Sequence, residues 1–321
     1  MHAAVLHSIE TVPRYEEFAE PLIEDKDREA IVHVHAASLK PIDKQLAAGS
    51  HYASPRELPC VCGADGVGHL DGGQRVFFGG PRPPYGAMAE RTVVPRAFTF
   101  PVPENLDDAT AAALPNPGIS AWLSLAYRAK LAQGEKVLIL GATGVTGKLA
   151  VKIAKLLGAA RVVAAGRNQQ ALAQLLDQGA DATISLTLPA AELREAFMRE
   201  AGQSGFHVVI DYVWGQPAET FLTAITRKGF AAIGSETRFV QVGESAGPTI
   251  TLPAAVLRST ALTIMGTAGI PPREVLAEAF QQVMAQAAKG QLQIETEKIS
   301  LADVENAWQR DHTGRRIVIM I

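Results

Sequence analysis

The stretch best suited to chemistry is an apolar run that leads into closely spaced glycines, residues 136–147, Lys-Val-Leu-Ile-Leu-Gly-Ala-Thr-Gly-Val-Thr-Gly. The run predicts a strand, and the residues after it predict a helix. Gly144 would let the backbone approach a pyrophosphate, Gly147 would let the helix pack close to the strand, and the helix N-terminus offers unpaired N–H groups. Ala142 replaces the first glycine of the dinucleotide fingerprint, so the pattern is AxGxxG. A tight turn without a ligand would also explain these glycines.

The next predicted strand carries the residues that distinguish two dinucleotides. It ends about 20 residues beyond the glycines, where an acid would bind a free ribose and an arginine would bind a 2′-phosphate. Residues 162–168 read Val-Val-Ala-Ala-Gly-Arg-Asn and contain no carboxylate. Gly166 leaves room for a phosphate, and Arg167 offers a fork of donors. Asn168 could simply cap a helix and Arg167 could be a surface residue, but neither explains the missing acid. The sequence therefore predicts NADP(H) as cofactor.

The predicted elements around these residues alternate between strand and helix, which is typical of an α/β fold with a doubly wound parallel sheet. The predicted strands cover 136–140, 161–165, 208–211 and 230–233, and the predicted helices cover 120–131, 144–157 and 168–178. Residues before about 100 read as short strands with Gly- and Pro-rich turns, so the first part is predicted to be mostly β. The final apolar run, 316–321, predicts a strand that returns to the first domain.

Length, charge and cysteine usage exclude several classes of protein. A chain of 321 residues predicts about two domains. Its formal charge of −3 lacks the basic excess expected of a protein that binds nucleic acid or anionic lipid. No apolar run approaches the roughly 20 residues that span a bilayer, and no basic signal region precedes an apolar stretch. With only Cys60 and Cys62, the chain is predicted to be soluble and cytoplasmic.

Motifs along nearly the whole chain carry a resemblance to a known family. They are Ala37-Ser-Leu-Lys-Pro-Ile-Asp43 with Gly49, Gly63-Ala-Asp-Gly-Val-Gly68, Gly86-Ala-Met-Ala-Glu90, Ala111-Ala-Ala-Leu-Pro115, Gly118-Ile-Ser-Ala-Trp122, the loop 141–147, Gly179-Ala-Asp181 and Gly314-Arg-Arg-Ile317. The chain resembles the medium-chain dehydrogenase/reductase superfamily, in its zinc-independent quinone oxidoreductase-like branch.

The resemblance implies a domain organisation and an activity. It implies a GroES-like, mostly β catalytic domain over 1–115, a Rossmann NADP-binding domain over 116–266, and a return to the catalytic domain over 267–321, with the active site in a cleft between the domains. The implied activity is NADPH-dependent reduction of quinones or α,β-unsaturated carbonyls by hydride transfer. The alternative that the sequence leaves open is a non-catalytic NADPH-binding protein with a structural or regulatory role.

Two departures from the zinc-dependent members of the superfamily remove the catalytic metal site. Lys40 stands where those enzymes have a cysteine ligand, and Ala64 replaces the histidine of their Gly-His-Glu signature. The four cysteines of the structural zinc lobe are missing as well. No metal is therefore predicted at the active site.

Three residues are the candidates for a catalytic role, and each has a plain structural alternative. Lys40 could stabilise negative charge on the substrate, or it could be a solvated lysine before a helix that starts with proline. Asp43 could organise Lys40 or the nicotinamide end of the cofactor, or it could stabilise the helix dipole. Tyr52 could donate a proton or stack on a ring, or it could be a surface residue.

The remaining candidates for the cofactor site follow from the resemblance and from the ends of later strands. Ser120 is expected near the nicotinamide, although capping a helix would also explain it, and Val213 follows a predicted Rossmann strand. The predicted cofactor residues are Ser120, Ala142, Thr143, Gly144, Val145, Thr146, Gly147, Gly166, Arg167, Asn168, Val213, Gly234, Ser235, Gly266 and Thr267.

Two further patterns concern metals and assembly. His33 and His35 alternate with valines on a predicted strand, so both imidazoles lie on one face. A metal pair would explain them, but the sequence favours a polar sheet face. The run Leu262-Thr-Ile-Met265 resembles the edge strand through which the family pairs across a dimer, so a homodimer is predicted.

Overall fold

The computed structural model describes residues 1–51, 53–226, 236–267, 269, 271–310 and 314–321. Its strands and helices are numbered here in chain order. The strands are β1 (His2–Leu6), β2 (Arg14–Glu17), β3 (Glu29–Leu39), β4 (Cys60–Val61), β5 (Asp65–Leu70), β6 (Arg75–Gly79), β7 (Arg91–Pro95), β8 (Thr99–Pro101), β9 (Lys136–Leu140), β10 (Arg161–Gly166), β11 (Ala182–Ser185), β12 (Val208–Asp211), β13 (Thr237–Gln241), β14 (Leu262–Gly266), β15 (Thr296–Ser300) and β16 (Arg316–Met320). The α-helices are α1 (Pro41–Ala47), α2 (Asp108–Ala113), α3 (Pro115–Trp122), α4 (Val145–Leu156), α5 (Gln169–Asp177), α6 (Ala190–Ala201), α7 (Gly215–Ile225), α8 (Ala254–Ser259), α9 (Arg273–Ala288) and α10 (Val304–Gln309).

The chain forms two compact units. One contains residues 1–116 and 273–321, and the other contains residues 117–272. Each unit has its own sheet and its own buried apolar cluster.

The second unit is built on a six-stranded parallel sheet in the order β11-β10-β9-β12-β13-β14. Counted within the unit, this order is 3-2-1-4-5-6, that of a doubly wound dinucleotide-binding fold. The α/β fold class predicted from the alternation of strands and helices is therefore confirmed. The order reverses between β9 and β12, and in such sheets ligands bind at the carboxyl ends of the strands where the reversal occurs.

The central strands of this unit are apolar on both faces because helices cover both sides of the sheet. In β9, four consecutive residues from Val137 to Leu140 are fully buried, and β10 is buried from Val162 to Gly166. Each buried Val, Leu or Ile side chain contributes roughly 1.5–3 kcal/mol relative to an exposed one. This continuous burial explains why the strands read as apolar runs rather than as alternating patterns.

The first unit combines a seven-stranded sheet with a smaller one. The larger sheet runs β15-β16-β3-β5-β6-β8, with β7 also paired to β3, and the smaller runs β2-β1-β4. The final strand β16 lies antiparallel to β3, with Ile317 opposite Leu39. Residues near the end of the chain therefore join the same sheet as residues from its first part. Strand β3 is the longest strand described and pairs with three neighbours.

The structure differs from the predicted elements at several points. Where one helix was predicted over 120–131, α3 ends at Trp122 and a π-helical segment, Leu123–Arg128, follows it. Strands β11 and β13 were not predicted, because β11 is short and only partly buried and β13 places Arg238 among its apolar residues. The predicted strand 230–233 lies outside the described residues.

Across the described ranges, every helix is too short or too polar to cross a bilayer.

Candidate functional site

The glycine loop lies at the reversal of strand order and takes its shape from close backbone contacts. Gly141, directly after β9, has a φ of +85°, a conformation that favours glycine. A Cβ added to Gly147 would lie 2.3 Å from the Gly141 carbonyl oxygen. A side chain at either position would therefore open the turn between β9 and α4, and this contact is the close helix–strand packing expected of the last fingerprint glycine.

The N-terminus of α4 has no capping side chain among the described residues. Gly144 is the residue before the helix, and no side chain of the described residues accepts a hydrogen bond from the first N–H groups of the helix. Gly144 is exposed, and a Cβ placed on it would meet only the Gly141 oxygen, at 3.5 Å. Uncapped N–H groups and the positive end of a 12-residue helix form a favourable place for an anion. Val145 and Thr146 form the first turn and are half-buried, whereas Ala142 is fully buried below the loop.

The end of β10 lies beside the glycine loop. A Cβ on Gly166 would come within 2.4 Å of the Thr143 methyl group, so glycine at 166 lets the two loops approach each other. Arg167 follows with an exposed side chain, and no ion pair is found for it among the described residues. Asn168 caps α5, because its side-chain oxygen accepts a hydrogen bond from the Ala171 N–H at 2.9 Å. The helix cap that the sequence left open for Asn168 is therefore present.

The loop after β12 packs against the glycine loop. Val213 is buried, and a Cβ on Gly141 would lie 2.9 Å from its Cγ1. Asp211 shapes this loop: its Oδ1 accepts hydrogen bonds from the N–H groups of Val213 at 2.8 Å and Trp214 at 3.0 Å. These bonds hold Trp214 at a φ of +54°, which is costly for a residue with a side chain.

The Asp211 carboxyl lies at the start of this loop. It is completely buried, and its Oδ2 has no hydrogen-bond partner in the part of the chain that the structure describes. Burial raises the pKa of Asp211 from 3.8 to about 6, although the two N–H donors act in the opposite direction. The folded state therefore binds a proton here more tightly than the unfolded chain does. This contribution to stability is present below about pH 3.8 and is lost as the pH rises through about 6.

We expect the variant Asp211→Asn to remove that part of the pH dependence. The shift from 3.8 to about 6 corresponds to roughly 3 kcal/mol. Part of this contribution is already lost at pH 4, so the free energy of unfolding of the wild type minus that of the variant should fall by roughly 2–2.5 kcal/mol between pH 4 and pH 7. Urea unfolding of both proteins at several pH values in this range measures the difference. A difference that is constant with pH would contradict the assignment.

The other predicted cofactor residues of the second unit are less closely grouped. Ser120 lies inside α3 rather than before a helix, and its carbonyl accepts a hydrogen bond from the Ser124 hydroxyl at 2.7 Å. The capping alternative for Ser120 is therefore wrong. Gly266 ends β14, with its carbonyl bonded to Arg128 Nε at 2.9 Å, and Thr267 follows it on the surface. Gly234 and Ser235 lie outside the described residues.

In the first unit, Lys40 is buried at the end of β3 rather than solvated. Its side chain is 1% exposed, so the solvated-lysine alternative is wrong. The ammonium group donates to the Ser38 carbonyl at 2.9 Å, the Ser38 hydroxyl at 3.2 Å and Asp65 Oδ1 at 2.9 Å. Asp43 Oδ2 lies 3.2 Å away. An ammonium has three hydrogens, and these neighbours use all of them.

Lys40 belongs to a buried group of four charges, defined here as the Lys40 cluster: Lys40, Asp43, Asp65 and Arg316. Asp43 joins two segments, because it accepts hydrogen bonds from the N–H groups of Lys40 at 2.8 Å and Ala64 at 3.0 Å. Arg316 enters from β16, is 5% exposed and donates to the Leu39 carbonyl at 3.3 Å. Two positive and two negative side chains leave the cluster without net charge.

Burial and ion pairing shift the pKa values of these groups in opposite directions. Burial lowers the pKa of Lys40, but Asp43 and Asp65 outweigh it, so the pKa is raised and the ammonium stays charged. Burial raises the pKa of Asp65, and Lys40 offsets only part of that rise. The geometry makes Lys40 a positioning residue that fixes the start of α1 and the loop before β5. A catalytic role for Lys40 or Asp43 stays a prediction, and Tyr52 lies outside the described residues.

Sequence reasoning missed Asp65, Arg316 and Asp211 as site residues. Asp65 and Asp211 each stand at one end of an apolar strand, a signal that could have drawn attention to them. Arg316 gives no such signal, because only the fold brings it to Lys40. Within the residues described, no group of three or more His, Cys, Asp or Glu side chains is placed to hold a metal ion.

Comparisons with known proteins agree with the fold. A family model described as zinc-binding dehydrogenase matches residues 145–289. Quinone oxidoreductase-like protein 2 of Bos taurus is 28% identical over 248 residues, 74% of this chain and 67% of its own length. A probable NADPH-dependent quinone reductase of Emericella nidulans is 30% identical over 230 residues, 68% of this chain and 63% of its own. The solved quinone oxidoreductase of Thermus thermophilus is 27% identical, with each chain covered over 100% of its length and a TM-score of 0.75.

These comparisons confirm the resemblance recognised from the motifs, to the quinone oxidoreductase-like branch of the medium-chain dehydrogenase/reductase superfamily. A mycobacterial quinone oxidoreductase with a TM-score of 0.84 and 21% identity, covering 100% of both chains, has the same fold. Among the first curated relatives, the matched stretches span 67% of the cattle protein and 49% of its mouse and rat counterparts.

Proposed function

We propose that this protein is an NADPH-dependent oxidoreductase that reduces quinones or α,β-unsaturated carbonyls. One observation carries the proposal: two groups that suit a phosphorylated dinucleotide follow the carboxyl ends of the neighbouring strands β9 and β10. They are the N-terminus of α4 and the guanidinium of Arg167, and neither has a side-chain partner among the described residues. The helix N-terminus suits a diphosphate, and the guanidinium suits the phosphate of a phosphorylated ribose. Relatives named as an NADPH-dependent quinone reductase and a 2-methylene-furan-3-one reductase support the same activity.

The residues present fit such a cofactor. A Cβ on Gly144 would meet only the Gly141 oxygen, so the loop is uncrowded there, and the N–H groups of Val145 and Thr146 would bind a diphosphate. Arg167 would hold the 2′-phosphate, with Gly166 leaving room beside it. Asp211 keeps Val213 against the glycine loop and so fixes the wall of the site. Bound NADPH would supply the hydride that reduces an electrophilic carbon of the acceptor.

Polarisation of the substrate oxygen falls to hydrogen-bond donors or water in this proposal. Lys40 and Ala64 occupy the positions that hold two zinc ligands in related enzymes. All three hydrogens of the Lys40 ammonium are already used in hydrogen bonds within the protein. Conjugated acceptors need the least polarisation, because the developing charge is spread over their own atoms. This chemistry favours quinones and enones over simple aldehydes as substrates.

The activity is tested by following NADPH absorbance with a panel of quinones and enones, with NADH as the matched control. We expect turnover with at least one acceptor, faster with NADPH than with NADH, and unchanged after treatment with a chelator. Binding of NADPH, seen as a change in its fluorescence, without consumption by any acceptor would favour the non-catalytic alternative and contradict the proposal.

We also propose that the chain forms a homodimer through β14. This strand ends the sheet order, and its apolar residues Leu262, Ile264 and Met265 are only partly buried. An apolar edge strand is open to pairing with a second copy. Light scattering should give twice the chain mass of 34.1 kDa. A mass near one chain, or a dimer that survives Ile264→Lys unchanged, would contradict this pairing.

A further inference from the structure

We propose that His35 and His69 form a binding site for a divalent transition-metal ion on the first unit's large sheet. The two rings come from neighbouring strands, His35 from β3 and His69 from β5. His35 Nε2 and His69 Nδ1 lie 3.1 Å apart, and the ring centres are separated by 4.6 Å. Nothing in the proposed oxidoreductase chemistry uses either residue.

The separation of the two nitrogens suits one shared ion. Imidazole nitrogens bind Zn²⁺ at about 2.0–2.1 Å, and at those distances two nitrogens 3.1 Å apart subtend about 95–102° at the metal. This angle lies between the octahedral and tetrahedral values, both of which occur with late transition metals. The same nitrogens are joined by a hydrogen bond in the absence of metal, which keeps the two rings within reach of one ion.

A carboxylate orients one of the rings. His35 Nδ1 lies 3.1 Å from Asp108 Oδ2, and the Nδ1–H donating to this carboxylate leaves a lone pair on Nε2. Asp108 is held in turn by Arg75 Nε at 2.9 Å. A histidine whose second nitrogen donates to a carboxylate is the usual arrangement of a metal ligand. This feature separates the pair from a merely polar sheet face.

His69 is suited to the same role. When His35 Nδ1 donates to Asp108, His69 Nδ1 donates its hydrogen to His35 Nε2 at 3.1 Å. On binding, the His69 proton moves from Nδ1 to Nε2, which frees Nδ1 for the ion without a net change in charge on the ring. Metal ions bind the neutral imidazole.

His33 is a neighbour that the proposed site does not use. It lies directly opposite His69 in the ladder, but its Nε2 is 2.9 Å from Asp71 Oδ1. Because no group of three or more suitable side chains is placed around one ion in the described residues, water must complete the coordination. With only two protein ligands, we expect the site to bind its ion less tightly than a structural zinc site with four protein ligands does.

Calorimetric titration of the tag-free full chain with Zn²⁺ at pH 7.5 tests the site. We expect one ion per chain, with a dissociation constant raised more than about tenfold in His35→Gln and in His69→Gln, since even partners of the ligands alter affinity by 10–100-fold. The matched control His33→Gln should bind as the wild type does. Equal binding by the wild type and both ligand variants, or an equal loss in His33→Gln, would overturn the assignment.

A second measurement needs no variant. X-ray absorption of the chain loaded with one equivalent of Zn²⁺ should show two imidazole ligands at about 2.0 Å, with oxygen atoms completing the shell. Sulfur ligands, or an absence of imidazole scattering, would overturn the proposal. Neither experiment depends on turnover, so the metal site and the proposed oxidoreductase activity can fail separately.

Discussion

Replacing Arg167 with glutamate is expected to reverse the preference for NADPH over NADH. The guanidinium would make charge-assisted hydrogen bonds to the 2′-phosphate, each contributing about 1.5–3 kcal/mol, and a carboxylate there would repel the phosphate instead. Since 1.4 kcal/mol is a tenfold change, the ratio of the NADPH to the NADH dissociation constant should rise by roughly 100- to 1,000-fold. Fluorescence titration with each nucleotide measures the two constants.

Two control variants separate the local effect from a general change in charge. Arg167→Gln removes the attraction without adding repulsion, so its ratio should lie between those of the wild type and Arg167→Glu. Arg194→Glu makes the same charge change at an exposed position on α6, and we expect it to leave the ratio unchanged. If Arg167→Glu and Arg194→Glu behaved alike, Arg167 would have no contact with the phosphate.

Replacing Lys40 with methionine is expected to cause a large loss of stability. The change leaves Asp43 and Asp65 facing only Arg316, so one buried negative charge has no counterion within the Lys40 cluster. Breaking a buried ion pair in this way costs about 3–5 kcal/mol. Denaturant unfolding of the full chain, monitored by circular dichroism, measures the difference in free energy of unfolding.

The double variant Lys40→Met with Asp65→Asn restores the charge balance with Arg316 opposite Asp43. It should therefore be more stable than the single variant. Lys289→Met, at an exposed position just after α9, should change the free energy of unfolding by less than about 0.5 kcal/mol. A single Lys40 variant as stable as the Lys289 variant would show that the buried charges do not depend on one another.

Strands β9 and β10 of the second unit and the glycine loop between β9 and α4 could be predicted because local sequence determines them. Strands buried on both faces leave continuous apolar runs, as in β9 and β10, and Gly147 is required by a contact within the same strand–turn–helix unit. Arg167 could be singled out for the same reason, since its distance along the chain from the glycine loop is fixed by one helix and one strand.

The Lys40 cluster could not be predicted, because its members come from distant parts of the chain. Lys40 looks like a solvated residue before a proline until β16 brings Arg316 to the end of β3 and the start of β5 brings Asp65. The pairing of His35 with His69 depends in the same way on the register of β3 against β5. Local pattern shows that His33 and His35 share a face, but it does not show which of them meets a second imidazole.

The most direct test of the account is a crystal structure of the chain with NADPH bound. We expect the diphosphate at the N-terminus of α4, within hydrogen-bond distance of the N–H groups of residues 144–147, and the Arg167 guanidinium on the 2′-phosphate. A complex with Arg167 pointing into solvent and the dinucleotide away from the glycine loop would contradict both the cofactor and the proposed activity.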